Sequence, residues 1–273
     1  MKIALNGATT MHADLQTDIA AAREAGFDCI EIWAAKLREF LKTNTVDDLK
    51  KLIQNSGLKP WSINSIEHVT FRNETDYAAI RRECEELSAI AGEIKCPYVV
   101  VVPGKLPQNA AKEQITDESV RVLNELADIA EKHNVGLAFE FLGQTDCSVQ
   151  TLELCNEIVE KTDRPNVGLV LDTFHFYAGN SDIETIGKLD PKKLFIFHIN
   201  DSEDLPKADL TDAHRLLPGL GILPLSSIKA QLDNIGFEGT VSIEIFRPEY
   251  WERDPFELAS EARTATASVL GLI

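Results

Sequence analysis

Eight short apolar runs recur along the 273 residues, and each is followed by a longer segment with helical spacing. The runs are Ile3–Leu5, Cys29–Ile32, Pro60–Ile63, Tyr98–Val102, Gly136–Phe139, Val167–Leu171, Leu194–Ile199 and Thr240–Ile243. They are brief and often β-branched, as expected of strands buried on both faces. Between them, Asp14–Ala25, Val46–Asn55, Tyr77–Ile94, Glu118–His133, Val149–Glu160 and Leu225–Ile235 place apolar residues three and four apart, and a last helix is expected over Pro255–Leu270. Gly26, Gly57 and Gly236 stand where helices need a left-handed exit, and Asn134–Gly136 and Pro165–Gly168 read as the same device. Regular strand–helix alternation to a count of eight predicts an α/β fold: a single (β/α)8 TIM barrel over residues 1–273, with the active site at the C-terminal ends of the strands. An open doubly wound sheet is the alternative, but it rarely uses eight such regular units. No Gly-x-Gly-x-x-Gly follows the first strand, so a dinucleotide site lacks its signature.

Nothing interrupts this period. There is no low-complexity segment, Gly/Ser linker or composition break. Met1-Lys2-Ile3-Ala4-Leu5 enters an apolar run without the pattern of a signal peptide, and the apolar stretch around Val99–Val102 is only a strand's length. A cytoplasmic protein that does not enter a membrane is therefore expected. Five scattered cysteines without a Cys-x-x-Cys pair read as free thiols in a reducing compartment. With 44 acidic against 27 basic residues, the formal charge of −17 disfavours nucleic acid as a partner. A homo-oligomer is compatible with all of this.

The chemistry of such a barrel lies where the strands end, and four consecutive strands end alike. They read Leu137-Ala138-Phe139-Glu140, Leu169-Val170-Leu171-Asp172, Phe195-Ile196-Phe197-His198 and Val241-Ser242-Ile243-Glu244. Any one of these is as well explained as a polar rim residue. Four in succession bring three acids to one mouth, where like charges repel and desolvation is costly. A divalent cation removes the conflict. Glu140, Asp172, His198 and Glu244 are thus the expected metal ligands, for one divalent ion. Mn²⁺ or Zn²⁺ come first, and Mg²⁺ or Co²⁺ also suit this mostly oxygen donor set.

Substrate contacts are expected from His175, on the loop leaving strand six, and Arg247, on the loop after strand eight. A packed loop histidine and a surface ion pair are the plainer explanations of these two. Asn6, Trp33 and Asn64, at the ends of the first three strands, are candidate pocket walls, as are Glu31 and Lys105, although rim residues are more often structural.

With these residues in view, the chain resembles the xylose-isomerase-like barrel superfamily, and within it the branch of inosose (2-keto-myo-inositol) isomerases. The resemblance runs through Asn6–Thr10, Tyr98–Pro103, Asn166–Phe176, His198–Asp204, Arg215–Gly221 and Glu244–Tyr250. The segments at strands six and eight are the specific ones. It implies that Glu140, Asp172, His198 and Glu244 match the family's metal ligands and that His175 matches a substrate contact. One departure is Gly7, where that branch often carries Glu.

The chemistry implied is proton transfer on a small polyhydroxy ketone. Loss of the proton between ketone and alcohol leaves an enediolate, whose negative charge a divalent ion stabilises. Glu140 and Glu244 approach from different strands and are the expected proton-transfer pair. Rival readings are a dehydratase of a keto-polyol or shikimate-like ring, a ketose 3-epimerase, an endonuclease IV-like phosphodiesterase and a sugar-binding barrel without catalysis. The phosphodiesterase would need further histidines at strands three and four, which end in Ile63-Asn64 and Val102-Pro103.

Overall fold

A computed structural model describes every residue, Met1–Ile273. The eight strands are β1 (Lys2–Asn6), β2 (Cys29–Trp33), β3 (Lys59–Ile66), β4 (Tyr98–Val101), β5 (Gly136–Glu140), β6 (Val167–Asp172), β7 (Leu194–Ile199) and β8 (Thr240–Ile243). All pair in parallel with their sequence neighbours. β1 closes on β8 with Lys2 opposite Thr240 and Leu5 opposite Ile243, so the sheet has no free edge.

Period-two alternation divides each strand between two cores. Val99, Val101, Leu137, Phe139, Leu169 and Leu171 point outward into the large apolar layer beneath the helices. Val100, Val102, Ala138, Val170 and Ile196 point inward and fill the barrel with Phe195, Trp61, Tyr98 and Leu142. The rings of Tyr98 and Phe195 stack at 4.4 Å near the N-terminal mouth. Gly168 makes room for them, because a Cβ there would come within 2.6 Å of the Phe195 ring. The barrel is thus a packed core below and a cavity only above, which sends polar chemistry to the C-terminal ends.

The outer helices follow the predicted pattern with differences at their starts. The helix after β4 begins at Lys112 rather than Glu118, because the Gln114 side chain accepts from the Ala111 amide at 2.9 Å and closes an earlier first turn. A further helix, Ala34–Leu41, follows β2 directly, and β6 is followed by two short helices, Thr173–Ala178 and Ile183–Ile186. Gly26, Gly57 and Gly236 have φ of 77°, 79° and 70°, whereas the left-handed exit before β6 is Asp163, ahead of the Pro165–Gly168 segment. Asn134 takes that role before β5.

The loop after β1 is pinned from below. Lys36 and Asp18, both buried, pair at 2.7 Å, while Lys36 donates to the Thr10 carbonyl and Thr10 donates to Asp18. No helix is long and apolar enough to cross a membrane.

Candidate metal centre and active site

Inward positions at the ends of β5, β6, β7 and β8 carry Glu140, Asp172, His198 and Glu244 (the last one residue past its strand), all buried. One ligating atom from each lies within 4.8 Å of the others. His198 Nδ1 is 2.8 Å from Glu140 Oε1 and 3.4 Å from Glu244 Oε2. Asp172 also caps the short helix that follows it, accepting from the His175 amide at 2.8 Å, so its carboxylate is fixed by the chain's own turn.

The two glutamates are held differently. Glu244 Oε1 accepts from Asn6 Nδ2 at 3.0 Å and Asn64 Nδ2 at 2.8 Å, and Oε2 faces Arg215 at 3.1 Å. Glu140 has only Oε1 engaged, by His198. Arg215 is fully buried and is the hub of the site: it donates to Asp172 at 2.8 Å, to Glu244, to Asp212 at 2.8 Å and to His175 Nε2 at 3.0 Å. Its guanidinium lies between the rings of Phe174 and Phe246, at 4.9 and 5.2 Å. On the far side of the imidazole, His198 Nε2 meets Glu31 at 3.0 Å.

The electrostatics follow from burial and from these neighbours. Burial pushes the Glu244 carboxyl up to about 8, with Glu140 and Asp172 adding to it against the pull of His198 and Arg215. For Asp172 burial acts upward too, but Arg215 first, with His198 and the His175 backbone amide, outweighs it and holds the carboxyl below its usual range. His198 is raised well above an ordinary imidazole: burial disfavours its cation, yet Glu244, Glu31 and Glu140 overcome that. A buried cluster in which neighbouring carboxylates raise one another against ionisation is short of positive charge. Three carboxylates and one imidazole converging on one point fit a divalent cation in donor type and in charge.

Above this cluster lies a cavity of about 250 Å³. Trp33, Val102, Leu142 and Phe246 form its apolar walls, and Asn64, Glu140, His175, Asp212, Arg215 and Glu244 are among its polar residues. Trp33 and Phe246 meet edge to face at 5.5 Å.

Residues 19–267 match the family described as xylose isomerase-like TIM barrel. The chain belongs to that family. It is 40% identical to the inosose isomerase of Bacillus subtilis (strain 168), over 99% of this chain and 98% of that protein. A crystal structure of the IolI protein with a bound zinc atom shares the fold at a TM-score of 0.96 and 40% identity, covering 100% of this chain and 99% of that one. A D-psicose 3-epimerase from Clostridium cellulolyticum H10, solved with D-tagatose, has the same fold at a TM-score of 0.77 and 20% identity, covering 99% of each chain.

Within this xylose isomerase-like frame, the residues expected at the site divide into three groups. The four strand-end residues come together, and His175, Trp33 and Asn64 line the cavity. Asn6 does not line it; it sits behind Glu244 as a hydrogen-bond donor. Arg247 does not line it either, because Glu203 holds its guanidinium at 2.7 Å and Glu249 at 3.3 Å. Lys105 is exposed and pairs with Asp146 at 3.4 Å.

Sequence reasoning gave no role to Arg215 or Asp212, which come from the segment between β7 and β8. A signal was present at Arg215, a cation entering the apolar stretch Leu216-Leu217-Pro218. Glu31, noted only as a wall, is a fully buried acid in the middle of Cys29-Ile30-Glu31-Ile32-Trp33.

Proposed function

We propose that this chain is a divalent-metal-dependent isomerase of inosose, 2-keto-myo-inositol, moving the ketone to a neighbouring ring carbon. The observation that carries this reading is the 40% identity, over 99% of the chain, to an inosose isomerase. Glu140, Asp172, His198 and Glu244 would hold the ion, with Zn²⁺ or Mn²⁺ first and Mg²⁺ or Co²⁺ as alternatives. When bound, such an ion polarises the ketone and adjacent hydroxyl and stabilises the charge that develops on their oxygens.

The chain's own residues divide the remaining work. Glu140 Oε2 has no hydrogen-bond partner and is the base for the proton on the carbon beside the ketone. As that C–H bond breaks, its electrons form a carbon–carbon double bond and the carbonyl oxygen becomes anionic. Glu244 reaches the cavity from another strand and returns a proton to the former carbonyl carbon. The proton of the neighbouring hydroxyl passes to the anionic oxygen, so the hydroxyl oxygen becomes the new ketone and the former carbonyl oxygen a hydroxyl.

His175 lines the cavity and would donate to a substrate oxygen. Arg215 can only donate, so His175 Nε2 must accept, which leaves the proton on Nδ1. That Nδ1 is buried without a protein partner, which suits donation to a substrate oxygen. Arg215 is the sole Lys or Arg lining the cavity, and Asp172, Glu244, Asp212 and His175 occupy its donors. An unphosphorylated polyol therefore suits the cavity better than a sugar phosphate.

The test is proton NMR of the Zn²⁺-loaded protein with 2-keto-myo-inositol in D₂O. Deuterium beside the ketone together with a new inosose isomer is the expected result. An unsaturated product would replace isomerisation by dehydration, and absence of exchange with zinc bound would overturn the substrate.

A further inference from the structure

On the reading of the four strand ends as a divalent-metal site, we infer that Glu31 is a positioning residue for it. Its carboxylate accepts the Nε2 proton of His198 and so commits Nδ1 to the ion.

The geometry is one-sided. His198 Nδ1 faces Glu140 at 2.8 Å and Glu244 at 3.4 Å, the groups that would share the ion. Nε2 faces Glu31, with Oε2 at 3.0 Å and Oε1 at 3.2 Å. An imidazole has two nitrogens, and a hydrogen bond to one decides which is left to bind metal. Glu31 stands outside the four-donor group and across the ring from it, so it acts on the ion through His198.

Glu31 is itself held for this task. It is fully buried, Asn64 Nδ2 reaches its Oε1 at 3.3 Å, and the alternation of β2 turns it into the barrel while Ile30 and Ile32 face the helices. Burying an acid costs several kcal/mol unless it is paired, and His198 is its only ionic partner. A carboxylate behind the imidazole also makes the ring a stronger donor than a neutral acceptor would, a difference that typically changes metal affinity by about 10–100-fold. No residue outside β2 brings an acid to this side of the ring.

The experiment measures Zn²⁺ affinity by competition with a chromogenic chelator for the parent protein, Glu31→Gln and Glu31→Asp. Glu31→Gln should bind Zn²⁺ about 10–100-fold more weakly, with the metal-free melting temperature equal to or above the parent's. Glu31→Asp should recover part of the affinity. Unchanged affinity in Glu31→Gln would overturn the proposal, and so would a loss explained by a lower metal-free melting temperature.

Should the variants fail to fold, ¹⁵N-histidine-labelled parent protein decides the matter by long-range ¹H–¹⁵N correlation. Zinc should shift Nδ1 of one histidine and leave its Nε2 protonated; the opposite tautomer would overturn the assignment. If the parent binds no more zinc than Glu140→Gln/Asp172→Asn, the metal site itself fails. If the parent binds zinc and Glu31→Gln matches it, only the role of Glu31 does.

Discussion

β5–β8 present Glu140, Asp172, His198 and Glu244 to the lumen, whereas β1–β4 present Asn6, Glu31, Asn64 and Val102 near the same height. One half would hold the cation. The other half holds the holders: Asn6 and Asn64 both donate to Glu244 Oε1, and Glu31 meets the outer nitrogen of His198. The difference follows from electrostatics. Eight charged strand ends around one point would repel each other beyond what a single divalent ion can offset. Two neutral amides on the opposite wall instead orient Glu244 through short hydrogen bonds and add no net charge, and the one acid there, Glu31, is paired with His198.

The sharpest way to break this division is Glu140→Gln. If Glu140 transfers the proton as well as touching the ion, turnover should fall about 10³-fold, within the usual range for losing a general base. Zn²⁺ affinity should fall much less. Parallel losses, with turnover restored by excess metal, would reduce Glu140 to a ligand and leave the β5–β8 half with a holding role alone.

A pH series without metal probes the charge imbalance of that half. The folded-state value for Glu244, about 8, lies above its ordinary 4.5. Its contribution to stability is therefore complete below about 4.5 and is lost as pH rises through 8. His198 is raised as well and acts in the same direction. The melting temperature of the metal-free protein should fall by several degrees between pH 5 and 8, and Zn²⁺ should abolish the slope. A midpoint that rises over this interval would mean that Arg215 and His198 already neutralise the cluster.

The two halves also differ in how far they could be read from sequence. Each site residue of β5–β8 lies at or next to the end of a largely apolar strand, so Glu140, Asp172, His198 and Glu244 stand out against their own strands. Asn6 and Asn64 are ordinary rim residues, and their task is defined by Glu244, which is 238 and 180 positions away in sequence. The barrel was legible because hydrophobic periodicity is local, whereas the roles of Arg215 and Asp212 depend on a long connection folding back over the mouth. No local period encodes that return. Arg247 is a different case: it lies three residues beyond Glu244, and Glu203 on the neighbouring loop holds its guanidinium outside the cavity, a pairing that no local pattern announces.

A smaller effect should come from the orienting wall. Asn64→Ala removes a 2.8 Å hydrogen bond to Glu244 Oε1 while Asn6 keeps its own at 3.0 Å. One lost bond to a charged acceptor corresponds to about 1.5–3 kcal/mol. That should appear mainly in kcat, because a looser Glu244 is misaimed rather than absent. Asn6→Ala/Asn64→Ala should cost more than the sum of the single variants, since both amides serve one oxygen. Strict additivity would show that the two amides act on Glu244 independently, and no loss in either variant that Arg215 alone orients it.

The smallest effect is expected at Arg247, and it marks the outer limit of the β5–β8 half. Its guanidinium is committed to Glu203 and Glu249 and lies over the Tyr250 ring at 5.6 Å, outside the cavity. Partly exposed pairs of this kind contribute about 0–1 kcal/mol, so Arg247→Ala should leave kcat and KM near the parent's and stability within that range. Measuring KM is what makes the variant informative. A large rise in KM with little change in stability would mean that the loop after β8 turns inward over bound substrate and exchanges Glu203 for a hydroxyl. In that event the charged half would extend past Glu244 into a contact made only in the occupied site.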